Sequence, residues 1–236
     1  MVKKLIKRTA MYILIVIAGY VAIGYLLHLV VFPESKPAVS NYFKPGQQFY
    51  SKAEGFKQTI VKQENEHVYC SLEIDPFADG PPKHIHTSFD ETFQVHNGTL
   101  SVWVDGKVIR LQPGDTLFVP RGTPHKPFNE TADTIRVKGE VAFPEKFAYH
   151  LPQVYGVMDN TPGIAASPKA ILQMSLFWSE GFDSYVADGP PIQVQKTIGF
   201  MLTPITRLMG YKSYYKEYDI ENINKVAATR PVSQKL

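Results

Sequence analysis

Cysteine is nearly missing from this chain of 236 residues: Cys70 is the only one. A single thiol excludes an intramolecular disulfide and any metal cage built from cysteines. It says nothing of the compartment, because an extracytoplasmic protein can do without disulfides. An excess of charge of one sign is lacking too. Lysine and arginine number 25 against 22 acidic residues, for a formal net charge of +3. Lys3, Lys4, Lys7 and Arg8 supply four of the positive charges, and the rest of the chain is close to neutral. No nucleic-acid partner is expected from such a balance. The length suits one globular core with appendages.

Charge is absent altogether from Ala10 to Phe32, where His28 is the one strongly polar side chain. As a helix at ~1.5 Å per residue this run can cross ~30 Å of hydrocarbon. A buried core helix would normally show a polar face, and this run has none. A cleaved signal peptide has an apolar region of only ~7–15 residues, and the small residues Ala38 and Ser40 lie too far past the run to mark its end. Residues 1–32 therefore read as a single-pass transmembrane signal anchor, with the membrane as partner. The basic cluster precedes the helix and only Glu34 and Lys36 follow it, so the positive-inside rule places the N-terminus in the cytoplasm and the remainder outside it.

Pro33, Pro37, Pro45 and Gly46 break up residues 33–47, which read as a linker. From Gln48 to about residue 142 the pattern turns to short β-type segments, at 67–74, 91–96, 99–104, 107–111, 115–119 and 134–141. Asn97-Gly98 and Asp105-Gly106 sit between consecutive segments as two-residue hairpin turns. Strands this short, with no helix between them, predict an antiparallel sandwich or barrel. Beyond it, residues 143–236 read as a helical extension packed on the barrel. Ser167-Pro168 starts one helix that Gly181 stops, and Val194, Ile198, Met201, Ile205 and Leu208 mark a second over 193–209, which Pro204 should kink or divide. Lying in the membrane interface is the alternative for this segment; Arg207, Lys212 and Lys216 beside several tyrosines would suit it.

Chemistry concentrates in two stretches. In the first, His84 and His86 at i and i+2 on an extended strand face the same way, and Glu91 can return to that face after a short turn. Imidazole and carboxylate together suit one divalent ion such as Fe²⁺, Mn²⁺, Ni²⁺ or Zn²⁺. In the second, Gly114, Pro120, Gly122, His125 and Asn129 follow the spacing G-x5-P-x-G-x2-H-x3-N. The pair resembles the two motifs of the cupin superfamily, with H-x-H-x4-E-x6-G at His84, His86, Glu91 and Gly98. Gly80, four residues ahead of His84, is the one departure from the usual first motif. The resemblance covers roughly residues 48–142 and implies an all-β cupin barrel, or jelly roll, holding one metal per chain.

On that resemblance His84, His86, Glu91 and His125 are the metal ligands, Gly98, Gly114 and Gly122 turn glycines, and a homodimer and a small-molecule ligand are implied. Phe93 and Val95 share the face of Glu91, which makes the surroundings partly apolar. His67, His96 and His150 stand outside the motifs and read as solvated or capping residues. The motifs are closest in style to quercetin-dioxygenase-like single cupins. They imply a metal-dependent oxidoreductase acting on a small chelating substrate, with Glu91 also serving as catalytic base. A non-catalytic binding module and a metal-assisted isomerase or decarboxylase are the alternatives.

Overall fold

Period-two alternation shapes the central part of the chain. Along His67–Ile74 every second side chain, Val68, Cys70, Leu72 and Ile74, is buried. A strand with one face on a core and the other toward solvent produces this pattern. The computed structural model describes residues 2–31, 33–137 and 141–223. Its strands run in the order β1 (Gln48–Ser51), β2 (Phe56–Glu64), β3 (His67–Ile74), β4 (His84–Ile85), β5 (Glu91–Asn97) and β6 (Leu100–Val104), then β7 (Lys107–Leu111), β8 (Thr116–Val119), β9 (His125–Phe128), β10 (Ile135–Val137), β11 (Val141–Pro144) and β12 (Tyr185–Val186). Among the described residues they make two antiparallel sheets. One has the order β1-β2-β3-β10-β5-β8, with β11 also on β3, and the other β12-β4-β9-β6-β7. The architecture is the expected antiparallel β-sandwich.

Asp105 and Gly106 both have positive φ, 43° and 88°, and join Val104 to its partner Lys107 as a two-residue hairpin. Asn97-Gly98 corrects the expectation. Asn97 is paired with Arg136 in the first sheet while Leu100 pairs with Leu111 in the second, so this turn carries the chain between sheets. The Asn97 amide donates to the Thr134 carbonyl and its oxygen accepts from the Arg136 N–H. Asparagine is thus needed there to close the sheet rather than to turn a hairpin. Of the segment expected at 134–141, residues 135–137 form β10 and Val141 begins β11; residues 138–140 lie outside those described.

Helix α1 (Val2–Val30) has no buried residue and is long and apolar enough, by length and composition, to cross a membrane. Its C-terminal half meets α4 (Ile192–Leu208), which continues through Pro204 instead of dividing there. Proline has no N–H to offer the carbonyl four residues back, here Phe200. The Tyr25 hydroxyl donates to that carbonyl at 3.2 Å, and the Tyr20 hydroxyl to the next one, Met201, at 2.9 Å. Gly24 makes the approach possible, since a Cβ there would lie 2.4 Å from that of Pro204.

The stretch between α1 and β1 is held against the body. Tyr42 and Phe43 are buried, the Tyr42 hydroxyl donates to Asp219, and Glu34 accepts from Ser213. Helix α3 (Lys169–Ser179) starts at the expected place, with the Ser167 hydroxyl accepting from the Lys169 N–H, and Gly181, at φ 102°, follows its end. Helix α2 (Glu145–Asn160) was not anticipated, because Pro152 and Gly156 obscure the helical spacing of Phe147, Leu151, Val154 and Tyr155. His150 within it is buried and gives its Nδ1 to the Lys146 carbonyl; this corrects the solvated or capping reading, and burial pushes its pKa down to about 4.

Phe147, Leu151, Phe177 and Ile220 share one hydrophobic core with Phe89, Phe93 and Phe143 of the sandwich. Strand β12 goes further and extends the second sheet, pairing Val186 with His84. Phe177 is 1% exposed at the centre of this shared core. Phe177→Ala is expected to cost about 3–5 kcal/mol. Melting followed by near-UV circular dichroism should fall by roughly 6–20 °C at ~2–4 °C per kcal/mol, with the sandwich and the helices unfolding together.

Candidate metal centre

Strand pairing brings the histidines together before any side chain is considered. His84 on β4 is the register partner of His125 on β9, and His86 follows β4 by one residue. Gly80 lets the loop before β4 pass close to β9, as a Cβ there would fall 2.0 Å from the Pro127 carbonyl oxygen. Glu91 opens β5 in the facing sheet. One ligand atom from each of His84, His86, Glu91 and His125 lies within 4.8 Å of all the others. The imidazole centroids are 4.3 Å apart for His84 and His125, 4.7 Å for His84 and His86, and 5.2 Å for His86 and His125.

The tautomer of each ring follows from its outer partner. Nδ1 of His84 faces the Pro82 carbonyl at 2.8 Å, that of His86 the Asp183 carbonyl at 2.5 Å, and that of His125 the Thr123 carbonyl at 2.9 Å. A carbonyl can only accept, so each Nδ1 carries the proton and each neutral ring leaves a bare Nε2 lone pair on its inner side. Two of those nitrogens, on His125 and His86, lie beside a carboxylate. Glu91 Oε2 is 2.8 Å from His125 Nε2 and 3.7 Å from His86 Nε2. Acceptors crowded this closely require a proton or a cation among them. Burial, and then the two neighbouring imidazoles, push His84 down to about 3, so this ring is neutral. Burial would raise the Glu91 carboxyl, yet His125 and His86 beside it hold it well below the usual carboxylate range. His125 moves oppositely: burial lowers it, and the Glu91 contact outweighs burial and raises it. The donor set, with hard and borderline ligands aimed at one point and their outer nitrogens already engaged, fits a divalent metal ion.

Asp183 is the residue that the sequence alone did not single out. Besides the carbonyl held by His86, its carboxylate accepts from the N–H groups of Thr87 and Ser88 and from both their hydroxyls, at 2.6–2.7 Å. Burial works against the charge, but these four donors keep the Asp183 carboxyl below its usual range. The loop between His86 and Glu91 is thereby held from a position 97 residues from His86. Nothing in the local composition around Asp183 signals this role.

The other motif residues are structural. The Asn129 amide donates to the Asp75 and Asp133 carbonyls, and its oxygen accepts from Thr131. Arg121 pairs with Asp90 and Lys126 with Asp79, so the cations flanking the second motif are already engaged. Val95 and Phe93 are both buried in the core, and Phe93 also lines a cavity. A cavity of about 310 Å³ opens from His84, His86 and Glu91, with walls that include Phe93, Phe143, Phe147, Leu151, Met174 and Phe177. Its size suits a small organic molecule. Much of that wall comes from α2 and α3, outside both motifs.

The family model for the Cupin domain matches residues 71–138, which contain all four clustered residues. The probable oxidoreductase virH of Hypocrea virens is 30% identical over 158 residues, 59% of this chain and 68% of that protein. Quercetin 2,3-dioxygenase of Bacillus subtilis is 42% identical over 50 residues, and the match spans 21% of this chain and only 15% of the enzyme. Among solved structures, KdgF from Halomonas sp. is 27% identical with a TM-score of 0.33, covering 38% of this chain and 79% of KdgF. The domain match and the extent of the likeness to virH agree with the sandwich and its histidine cluster, and the chain belongs to the cupin family.

Proposed function

We propose that this chain is a membrane-anchored, metal-dependent oxidoreductase, dioxygenase-like, that acts on a small chelating substrate. The observation that carries the reading is the three-imidazole arrangement, in which every Nδ1 meets a carbonyl, Nε2 of His125 and of His86 lie 2.8 and 3.7 Å from Glu91, and His84, His86 and Glu91 line the head of an apolar cavity. His84, His86, Glu91 and His125 would hold one divalent ion, Fe, Mn, Ni or Zn. Such an ion supplies Lewis acidity toward a chelating enol or hydroxy-ketone and, when redox-active, electron exchange with O₂. Glu91, the one carboxylate in the cluster, would also accept the enol proton. Phe93, Phe143 and Phe147 keep bulk water from the reacting end. The oxidoreductase names of virH and quercetin 2,3-dioxygenase support this class of chemistry over the alternatives.

In this reading residues 1–32 are the anchor, 33–47 the linker, 48–142 the barrel and 143–236 the extension, whose last thirteen residues lie outside those described. Helix α1, 29 residues long, spans about 40 Å at ~1.5 Å per residue, enough to exceed a ~30 Å hydrocarbon core. Its basic end lies in the cytoplasm and the barrel outside. Because α4 packs on Gly24, inside the apolar run, and leaves Phe200, Ile205 and Leu208 exposed, α4 rests in the outer membrane interface. Alkaline carbonate should leave the protein in washed membranes, and protease added to intact spheroplasts should digest the barrel. Release by carbonate, or protection while an outer-surface control is cleaved, would count against the anchor or its direction.

Elemental analysis tests the cluster. Wild type should carry one divalent ion per chain, and His84→Ala, His86→Ala or His125→Ala should each weaken binding by orders of magnitude. Glu91→Gln keeps the shape while removing charge and base, so it should retain some metal and lose most turnover. Asp183→Ala, which frees the Thr87-Ser88 turn, is expected to reduce metal affinity by about 10–100-fold. Oxygen uptake by the iron-loaded protein with a panel of chelating enols and flavonols separates oxidase chemistry from the alternatives. Ligand binding without oxygen uptake would replace the proposal with a binding module.

A further inference from the structure

Helix α4 is inside-out. Its polar residues Gln195, Thr203 and Thr206 are buried, whereas Val194, Phe200, Ile205 and Leu208 are 43–60% exposed. The buried groups are matched within the fold. The Gln195 amide bonds both the N–H and the carbonyl of Val186, and the Thr203 and Thr206 hydroxyls meet Ser175 of α3. A helix at a water-facing surface shows the opposite arrangement, with apolar residues inward and polar ones outward. Val194, Ile198, Met201, Ile205 and Leu208 recur at helical spacing along one face of α4, and none of them is buried. Next to that face Phe200 stacks on Tyr25 and Pro204 meets Gly24, so the exposed stripe continues the apolar surface of α1. Lipid is the occupant that this continuity selects for the stripe.

The cavity reaches the same surface. Helix α3 lies between it and α4, with Ala170, Met174 and Phe177 lining the cavity and Ser175 and Trp178 set against Gly199 of α4. The exposed residues of the cavity lining are Pro82, Ala165 and Val186, all apolar, and they mark its mouth. Val186 is the residue that Gln195 holds, and Gln195 directly follows Val194 at the end of the α4 stripe. Lys83 beside Pro82 is engaged by Asp188 and by the Trp103 ring. A mouth with no charge among its exposed residues suits a ligand that carries hydrocarbon and gives little hold on a polar one.

We propose that the cavity is filled from the bilayer, through the mouth at Pro82, Ala165 and Val186, and that its ligand is a lipid-soluble molecule with a chelating enol or hydroxy-ketone head and a hydrocarbon tail. The inference rests on the reading of His84, His86, Glu91 and His125 as the reacting end and of α1 as the anchor, and it adds the source and class of the substrate. The head travels to the histidine end, and the tail lies against Leu151, Met174 and the mouth. A ligand dissolved in the membrane is concentrated at the mouth in proportion to its partition into lipid, an advantage that an aqueous route would not give.

The test uses the full-length, metal-loaded chain in phosphatidylcholine nanodiscs. A bimane label on Val186→Cys should lose about half or more of its fluorescence when brominated phosphatidylcholine replaces the ordinary lipid. Cys70 is buried and stays unlabelled. Val194→Cys carries the label should the first variant misfold. Stopped-flow fluorescence then follows wild type with 3-hydroxy-2-methyl-4-quinolone and its 2-heptyl homologue, which share the chelating head and differ by six methylenes. Those methylenes enrich the heptyl probe in lipid by roughly 10³-fold. At equal free aqueous concentration the heptyl probe should therefore associate at least about tenfold faster. Association rates within about twofold of each other would overturn the membrane route. A folded variant whose label brominated lipid leaves unquenched would do so as well. Binding is read separately from oxygen uptake, so faster heptyl association without uptake sinks the oxidoreductase reading and keeps the route, and uptake at equal association rates does the reverse.

Discussion

Three N–H bonds to backbone carbonyls govern the chemistry of this protein. By taking the Nδ1 protons of His84, His86 and His125, the carbonyls of Pro82, Asp183 and Thr123 decide which nitrogen of each ring faces inward. Carbonyl oxygens accept only, so the choice of tautomer is independent of whatever else occupies the site. Two of these carbonyls lie two residues before their own histidine, and local chain geometry suffices for them. The third lies far along the chain, and it ties the cluster to the C-terminal part of the fold. Asp183 serves twice, with its carbonyl for the ring and its carboxylate for the turn that leads to Glu91.

How much of this could be read in advance follows from the range of each interaction. The His84, His86, Glu91 and His125 cluster was legible because spacing along a strand decides which way a side chain points, and because two separate motifs agreed. Asp105-Gly106 was legible for a similar reason, since turn chemistry is local. Asn97-Gly98 has the same composition and was misread, because which sheet receives the next strand depends on partners dozens of residues away. The buried position of His150 could not be seen at all, since α2 hides its periodicity behind Pro152 and Gly156. Asp183 likewise acts through a contact that no local pattern encodes.

The cavity shows the same division of labour. Its histidine end comes from the sandwich, whereas Phe147, Leu151, Met174 and Phe177 come from the extension. A barrel scaffold with a wall supplied from elsewhere lets the cavity's shape change without disturbing the clustered residues. Family membership is therefore informative about the cluster and silent about the wall.

The seam between α1 and α4 has a consequence for motion. Because the Phe200 carbonyl that Pro204 leaves without an N–H is taken by Tyr25, and Gly24 admits the proline ring, the two helices are joined by complementary shape and hydrogen bonds. With α1 in a bilayer, the body would lose the freedom to tumble on a leash and keep only lateral drift and spin about the membrane normal. The cavity would then ride at a constant height above the lipid, and meeting a lipid-soluble partner would become a search in two dimensions rather than three.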